Sequence, residues 1–198
     1  MKVAILGLGR MGSAIAERLL DTGHSLVVWN RSAGKAQALL DRGAIWAATP
    51  QEAVSKVDLA LSMLTDAAAI ENTYSGVNGA LTGDVKGKLF VDMSTVRPET
   101  SIHLNSKVVA VGAALLECPV GGTVGPAKQG QLFGFVGGEA ADFSACQAFI
   151  GTTLSPRGTC GCHWCRGQHE VSREFTVVGL LAGIGRSHFD GQTSRTFS

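Results

Sequence analysis

Chemistry first becomes possible in this 198-residue chain at a glycine-spaced turn, Gly7-Leu8-Gly9-Arg10-Met11-Gly12. Residues 2–6 before it form an apolar run too short for a helix and bounded by glycine, which reads as a buried parallel strand. After it, Met11, Ala14, Ile15, Leu19 and Leu20 share one face of a helix that Gly23 would stop. Glycines at this spacing are common, but between a strand and an amphipathic helix they acquire a physical purpose. Gly7 would make the tight turn, Gly9 would let a pyrophosphate reach the backbone, and Gly12 would let the helix pack closely on the strand. The unpaired amides and positive end of the helix would face the phosphates. The expected ligand is a dinucleotide.

Which dinucleotide depends on the end of the second strand, Leu26 to Trp29, where an acidic residue would bond the ribose hydroxyls of NAD. The chain has Asn30-Arg31-Ser32 there instead. No carboxylate repels a 2′-phosphate, Arg31 can fork onto one, and Asn30 and Ser32 can donate to it. NADP is therefore expected, with Arg31 as a merely solvated helix-start residue the alternative.

The elements that must position these groups continue in alternation. A second helix is expected over Ala33 to Leu40, then strands near 45–47, 58–63, 88–92, 114–118 and 132–136, with helices near 50–55, 66–73, 98–109 and 139–150. Such alternation calls for an α/β fold of the Rossmann type, a doubly wound, mostly parallel sheet covered on both faces. With 45% hydrophobic residues the chain can bury a core of its own, and a formal net charge of +1 without like-charge runs argues against nucleic acid and anionic lipid as partners. No signal peptide or membrane span is read, and five cysteines in no disulfide pattern suit a reducing cytoplasm.

Three more segments carry a resemblance. Ser62-Met63-Leu64-Thr65-Asp66, Val91-Asp92-Met93-Ser94-Thr95 and Glu117-Cys118-Pro119-Val120-Gly121-Gly122 each end an expected strand, where ligands bind in open α/β sheets. Together with the glycine turn and Val28 to Ser32, they resemble the β-hydroxyacid dehydrogenases, a family that includes 3-hydroxyisobutyrate dehydrogenase and the glyoxylate and succinic semialdehyde reductases. The resemblance runs to about residue 154 and implies an NADP-dependent oxidoreductase moving hydride between the cofactor and a small hydroxy or oxo acid. It also implies a homo-oligomer built on a second, helical domain. Met63 and Leu64 would lie against the riboses, or else pack the core. Ser94 and Thr95 would hold a substrate carboxylate, with Thr95 also near the cofactor, or else one of them caps the next helix. Gly121 and Gly122, with Thr123, would complete that carboxylate site or form a plain turn. The loop around Gly121 departs from the family's commoner Pro-Val-Ser-Gly-Gly form. The substrate is left open.

The family's general acid or base, a lysine in a G-x-x-x-K-x-x-N pattern, is missing in frame. Lys128 is the last lysine of the chain and sits in a loop, Pro126 to Gly130, that matches another part of the pattern. A truncated, inactive NADP-binding module is thus the alternative function. Residues 1–154 read as the NADP-binding domain and 155–198 as an aberrant tail in place of the helical domain. Read one base later with permitted codons, Cys162 to Phe175 yields a Met-Lys-Leu-Ala-Val-Asn stretch of the family's kind, which points to a shifted reading frame. A metal site of Cys160, Cys162, Cys165 and His163 or His169 is the competing reading, at spacings that match no common finger. The haem pattern fails because Arg166 follows Cys165.

Overall fold

The computed structural model describes residues 1–161. β1 (Lys2–Leu6) runs into α1 (Arg10–Asp21), then β2 (Ser25–Trp29), a 3₁₀ turn (Ala33–Ala36) and α2 (Gln37–Leu40). The series continues with β3 (Ile45–Trp46), α3 (Pro50–Ser55), β4 (Leu59–Ser62), α4 (Ala67–Ser75), β5 (Leu89–Asp92), α5 (Pro98–Ala110) and β6 (Ala114–Glu117). These six strands are all parallel, in the order β3-β2-β1-β4-β5-β6. That order is the doubly wound arrangement, and the chain reverses direction across the sheet between β1 and β4. The continuous apolar run in β1 follows from burial on both faces: Val3 and Ile5 enter one core cluster, Ala4 and Leu6 the other.

Beyond β6 the chain leaves this sheet. β7 (Val120–Gly121), α6 (Val124–Gln129), β8 (Leu132–Val136), α7 (Ala140–Thr153) and β9 (Leu154–Gly161) follow. β7, β8 and β9 form a separate three-stranded sheet in which β7 and β8 are antiparallel and β8 and β9 parallel. An antiparallel bridge between Glu117 and Gly137 joins it to the end of β6. The 132–136 strand is therefore correctly located in sequence but does not extend the parallel sheet. Its Leu132, Gly134 and Val136 are buried while Phe133 and Phe135 are half-exposed, an alternation that the unbroken run Leu-Phe-Gly-Phe-Val hides.

Two local expectations need correction. The second helix begins as a 3₁₀ turn, so only Gln37–Leu40 is α-helical. Lys128 lies in helix α6, not in a loop. Pro126 sits in its first turn, where its missing N–H breaks no helical bond.

Helix α1 is tied to the C-terminal elements. Arg18 Nε donates to the Thr152 carbonyl at 3.1 Å, and Lys128 Nζ pairs with Glu17 Oε2 at 2.8 Å. Gly130 closes α6 with φ +68°, and a Cβ there would lie 2.5 Å from that same Thr152 carbonyl. The tail residues Cys162, His163, Cys165 and His169, and with them the stretch Cys162 to Phe175, lie outside the described residues. No helix among the described residues is long and apolar enough to cross a membrane.

Candidate dinucleotide site at the sheet's carboxyl edge

Three residues connect β1 to α1, and each glycine of the turn answers a different demand. Gly7 adopts φ +104°, its N–H donates to the Trp29 carbonyl at 2.9 Å, and an added Cβ would lie 2.5 Å from the Met63 carbonyl oxygen. At Gly12 a Cβ would overlap the Gly7 carbonyl oxygen. The protein itself requires both. Gly9 is different: φ −70° and ψ −175° suit any residue, and a Cβ there meets nothing within 4 Å. Its bare backbone faces open space.

The same turn leaves main-chain donors unused. The first intrahelical bond runs from Ser13 N–H to the Gly9 carbonyl at 2.9 Å, and Gly9 supplies no side-chain cap. The amides of Gly9, Arg10, Met11 and Gly12 consequently have no acceptor among the described residues, and no acidic side chain stands in the helix's first turn. Four donors at the positive end of a 12-residue helix, beside an unoccupied backbone surface, fit an anionic diphosphate.

Leu8 and Asn30 sit behind this surface. The Leu8 side chain is buried, and its N–H donates to Asn30 Oδ1 at 2.9 Å. Asn30 Nδ2 in turn donates to the Ser32 carbonyl at 3.0 Å. Asn30 thus serves the protein through its Oδ1 and one Nδ2 proton, while the second Nδ2 proton has no acceptor among the described residues. Asn30 clamps the glycine turn to the end of β2. Arg31 and Ser32 remain exposed on the rim. Asp66 shares that rim: its Oδ1 accepts the Ala69 N–H at 2.8 Å as the cap of α4. That bond above all, then Thr65, with the Arg31 charge contributing, holds its carboxyl below the ordinary range.

Met63 and Leu64, at the end of β4, are half-buried and pack against opposite core clusters. They also back the glycine turn, since a Cβ at Gly7 would come within 3.0 Å of Leu64 Cδ2. At the end of β5, Ser94 turns inward and Thr95 is exposed. Neither caps α5, whose N-cap is Arg97 followed by Pro98. Ser94 Oγ donates to Asp92 Oδ1 at 2.7 Å and accepts the Leu64 N–H at 2.9 Å. Gly121 is half-buried in β7, and Gly122, with φ +135°, is exposed beside exposed Thr123.

The glycine turn, Arg31-Ser32, Met63-Leu64 and Ser94-Thr95 thus lie at the carboxyl ends of the neighbouring strands β1, β2, β4 and β5. Gly121-Gly122 comes from the smaller sheet. What the sequence reading missed is the buried cluster of Ser62, Tyr74 and Asp92. Ser62 Oγ donates to Asp92 Oδ1 at 2.6 Å and lies 2.7 Å from the Tyr74 hydroxyl. Burial pushes the Asp92 carboxyl and the Tyr74 hydroxyl up from their usual ranges. It also pushes the neighbouring Cys118 thiol up to about 12. Polar residues closing two adjacent apolar strands, Leu-Ala-Leu-Ser and Leu-Phe-Val-Asp, were the available signal.

Comparison with known proteins agrees with this geometry. Residues 2–160 match the family described as the NAD binding domain of 6-phosphogluconate dehydrogenase. The cytokine-like nuclear factor N-PAC of Xenopus tropicalis is 39% identical over 185 residues, covering 92% of this chain and 33% of that protein. The chloroplastic glyoxylate/succinic semialdehyde reductase 2 of Arabidopsis thaliana is 35% identical over 150 residues, 76% of this chain and 42% of the plant protein. Among solved structures, Psf3 in complex with NADP+ and 2-OPP superposes with a TM-score of 0.76 at 30% identity, over 81% of this chain and 56% of that one. The chain spans between a third and about half the length of these proteins.

Proposed function

This chain belongs to the family of the NAD binding domain of 6-phosphogluconate dehydrogenase, and on that premise we propose that it binds NADP as the nucleotide-holding part of an oxidoreductase. The reaction is hydride transfer between NADP(H) and a small hydroxy or oxo acid, of the 3-hydroxyisobutyrate dehydrogenase or glyoxylate and succinic semialdehyde reductase type. The observation that carries this reading is the set of four unpaired amides beside Gly9, whose missing side chain the protein itself does not require.

In this reading the amides from Gly9 to Gly12 hold the pyrophosphate, and Arg31 with Ser32 meets the 2′-phosphate. Thr95 and the Gly121-Gly122 turn face the nicotinamide and the substrate carboxylate, with Met63 and Leu64 forming the wall behind the riboses. The bound dinucleotide supplies the hydride. Psf3, a complex with NADP+ at 30% identity, supports this choice of nucleotide. We place the NADP-binding unit at residues 1–154, with β9 adding main-chain pairing as far as Gly161. Action in the cytoplasm as a homo-oligomer belongs to the same proposal.

A nucleotide-binding module without turnover is the second reading. It is favoured by Lys128, whose Nζ pairs with Glu17 Oε2 at 2.8 Å and so ties α6 to α1. Titration of intrinsic fluorescence with NADPH and NADH, followed by turnover assays on glyoxylate, succinic semialdehyde and 3-hydroxyisobutyrate, separates the two. Binding with turnover supports the enzyme, binding alone supports the module, and no binding of either nucleotide refutes both. Arg31→Ala should weaken NADPH at least about tenfold while leaving NADH within about twofold, since a charge-assisted fork to phosphate is worth about 1.5–3 kcal/mol.

A further inference from the structure

The main-chain ladder that joins β1, β4 and β5 ends with Met63 N–H on the Leu6 carbonyl at 3.0 Å and Met93 N–H on the Ser62 carbonyl at 2.9 Å. One residue further the ladder stops, and the Leu64 amide has no main-chain acceptor among the described residues. Ser94 Oγ takes that place at 2.9 Å. The Ser94 hydroxyl has a single proton, and it goes to Asp92 Oδ1 at 2.7 Å. The Ser94 N–H reaches the same oxygen at 3.3 Å, and the Ser62 hydroxyl donates to it at 2.6 Å. With its proton so committed, Ser62 can only accept from the Tyr74 hydroxyl. A directed chain results, from α4 through the end of β4 to the end of β5 and back to Leu64.

All four side chains are buried: Ser62 and Tyr74 at 0%, Asp92 at 3% and Ser94 at 4% exposure. No Lys or Arg pairs with Asp92 among the described residues. A lone carboxyl in an apolar layer is costly, and an apolar residue of the same size would fill the space at lower cost. Its placement makes sense if it fixes geometry. The segment it fixes is the one whose Met63 carbonyl and Leu64 side chain lie against Gly7.

We propose that Ser94 and Asp92 are positioning residues for the dinucleotide site: they lock the Met63-Leu64 turn against the glycine turn and do not themselves touch nucleotide or substrate. This rests on the nucleotide-binding reading above and changes the expected part of Ser94 in it. A substrate carboxylate is left to exposed Thr95 and the Gly121-Gly122 turn.

The test uses the full chain, with NADPH affinity and thermal midpoint measured side by side. Ser94→Ala should bind NADPH about tenfold more weakly, the effect of losing one anchored amide. Ser94→Thr, which keeps a hydroxyl, should recover at least half of that loss on a logarithmic scale. Tyr74→Phe removes the far end of the chain but leaves the Ser62, Asp92 and Ser94 links intact; it should lower the midpoint while keeping NADPH affinity within about twofold. Amide exchange of the nucleotide-free wild type gives a reading independent of any variant: the Leu64 N–H should be protected well above the amides of Arg10 and Met11. Unchanged affinity in Ser94→Ala, equal losses in Ser94→Ala and Tyr74→Phe, or unprotected exchange at Leu64 would each overturn the proposal. Failure of the wild type to bind NADPH would instead remove the functional reading beneath it.

Discussion

Replacing Gly9 by alanine separates what the fold needs from what a ligand needs. The residue has φ −70° and ψ −175°, and a new Cβ there meets no atom within 4 Å. Stiffening the unfolded chain should add about 0.4–1 kcal/mol. Against this, alanine is a poorer N-cap than glycine by a comparable few tenths to 1 kcal/mol. The two offset, so the nucleotide-free midpoint should stay within about 2 °C of the wild type, at about 2–4 °C per kcal/mol for a chain of this size. The methyl group, however, fills the surface a diphosphate must approach. Wild type held at about 100 times its Kd in NADPH gains about 2.7 kcal/mol, a rise of several degrees. Gly9→Ala should lose most of that rise. Circular dichroism melts of both proteins, with and without NADPH, decide the matter. A large fall in the nucleotide-free midpoint would show that Gly9 serves the fold, and an unchanged NADPH-induced rise would show that no phosphate lies there; either result refutes the reasoning.

Other perturbations address the supports of the site. Asn30→Ala strands the Leu8 N–H that Asn30 Oδ1 accepts, so the midpoint should fall by an amount equivalent to about 1–3 kcal/mol in denaturant melts. The His24 imidazole is held below its ordinary range, first by burial and then by the amino terminus. The folded state therefore takes up that proton at lower pH than the unfolded chain. Stability should be full above the ordinary value of 6.5 and decline as pH falls below it, less steeply in His24→Gln; parallel slopes for the two proteins between about pH 7 and about pH 5 would contradict this.

Much of the large sheet was legible because its strands are buried on both faces, which leaves unbroken apolar runs such as Val3 to Leu6 between glycine or polar stops. The helix over 50–55 was legible from its own chemistry: Thr49 accepts the Glu52 N–H at 3.1 Å and Pro50 opens the first turn. The smaller sheet was not. Its β7 is two residues long, and the exposed Phe133 and Phe135 mimic a fully buried strand. At the site, the glycine turn could be read because backbone strain and close approach demand specific residues. The clamping bonds of Asn30 and Ser94 could not be read, since their residue types permit a ligand contact and an internal clamp equally, and their partners at Leu8, Leu64 and Asp92 are brought near only by the fold.

The links between α1 and the C-terminal elements have a mechanical consequence. Arg18 holds Thr152 and Glu17 holds Lys128, so the helix whose first turn offers its amides is also the beam that carries α6 and α7. Rocking the small sheet against the large one would have to break both links and repack the buried Ala127, Phe149 and Ile150 in the core cluster they share with α1. Residues 1–153 should consequently travel as one stiff lever.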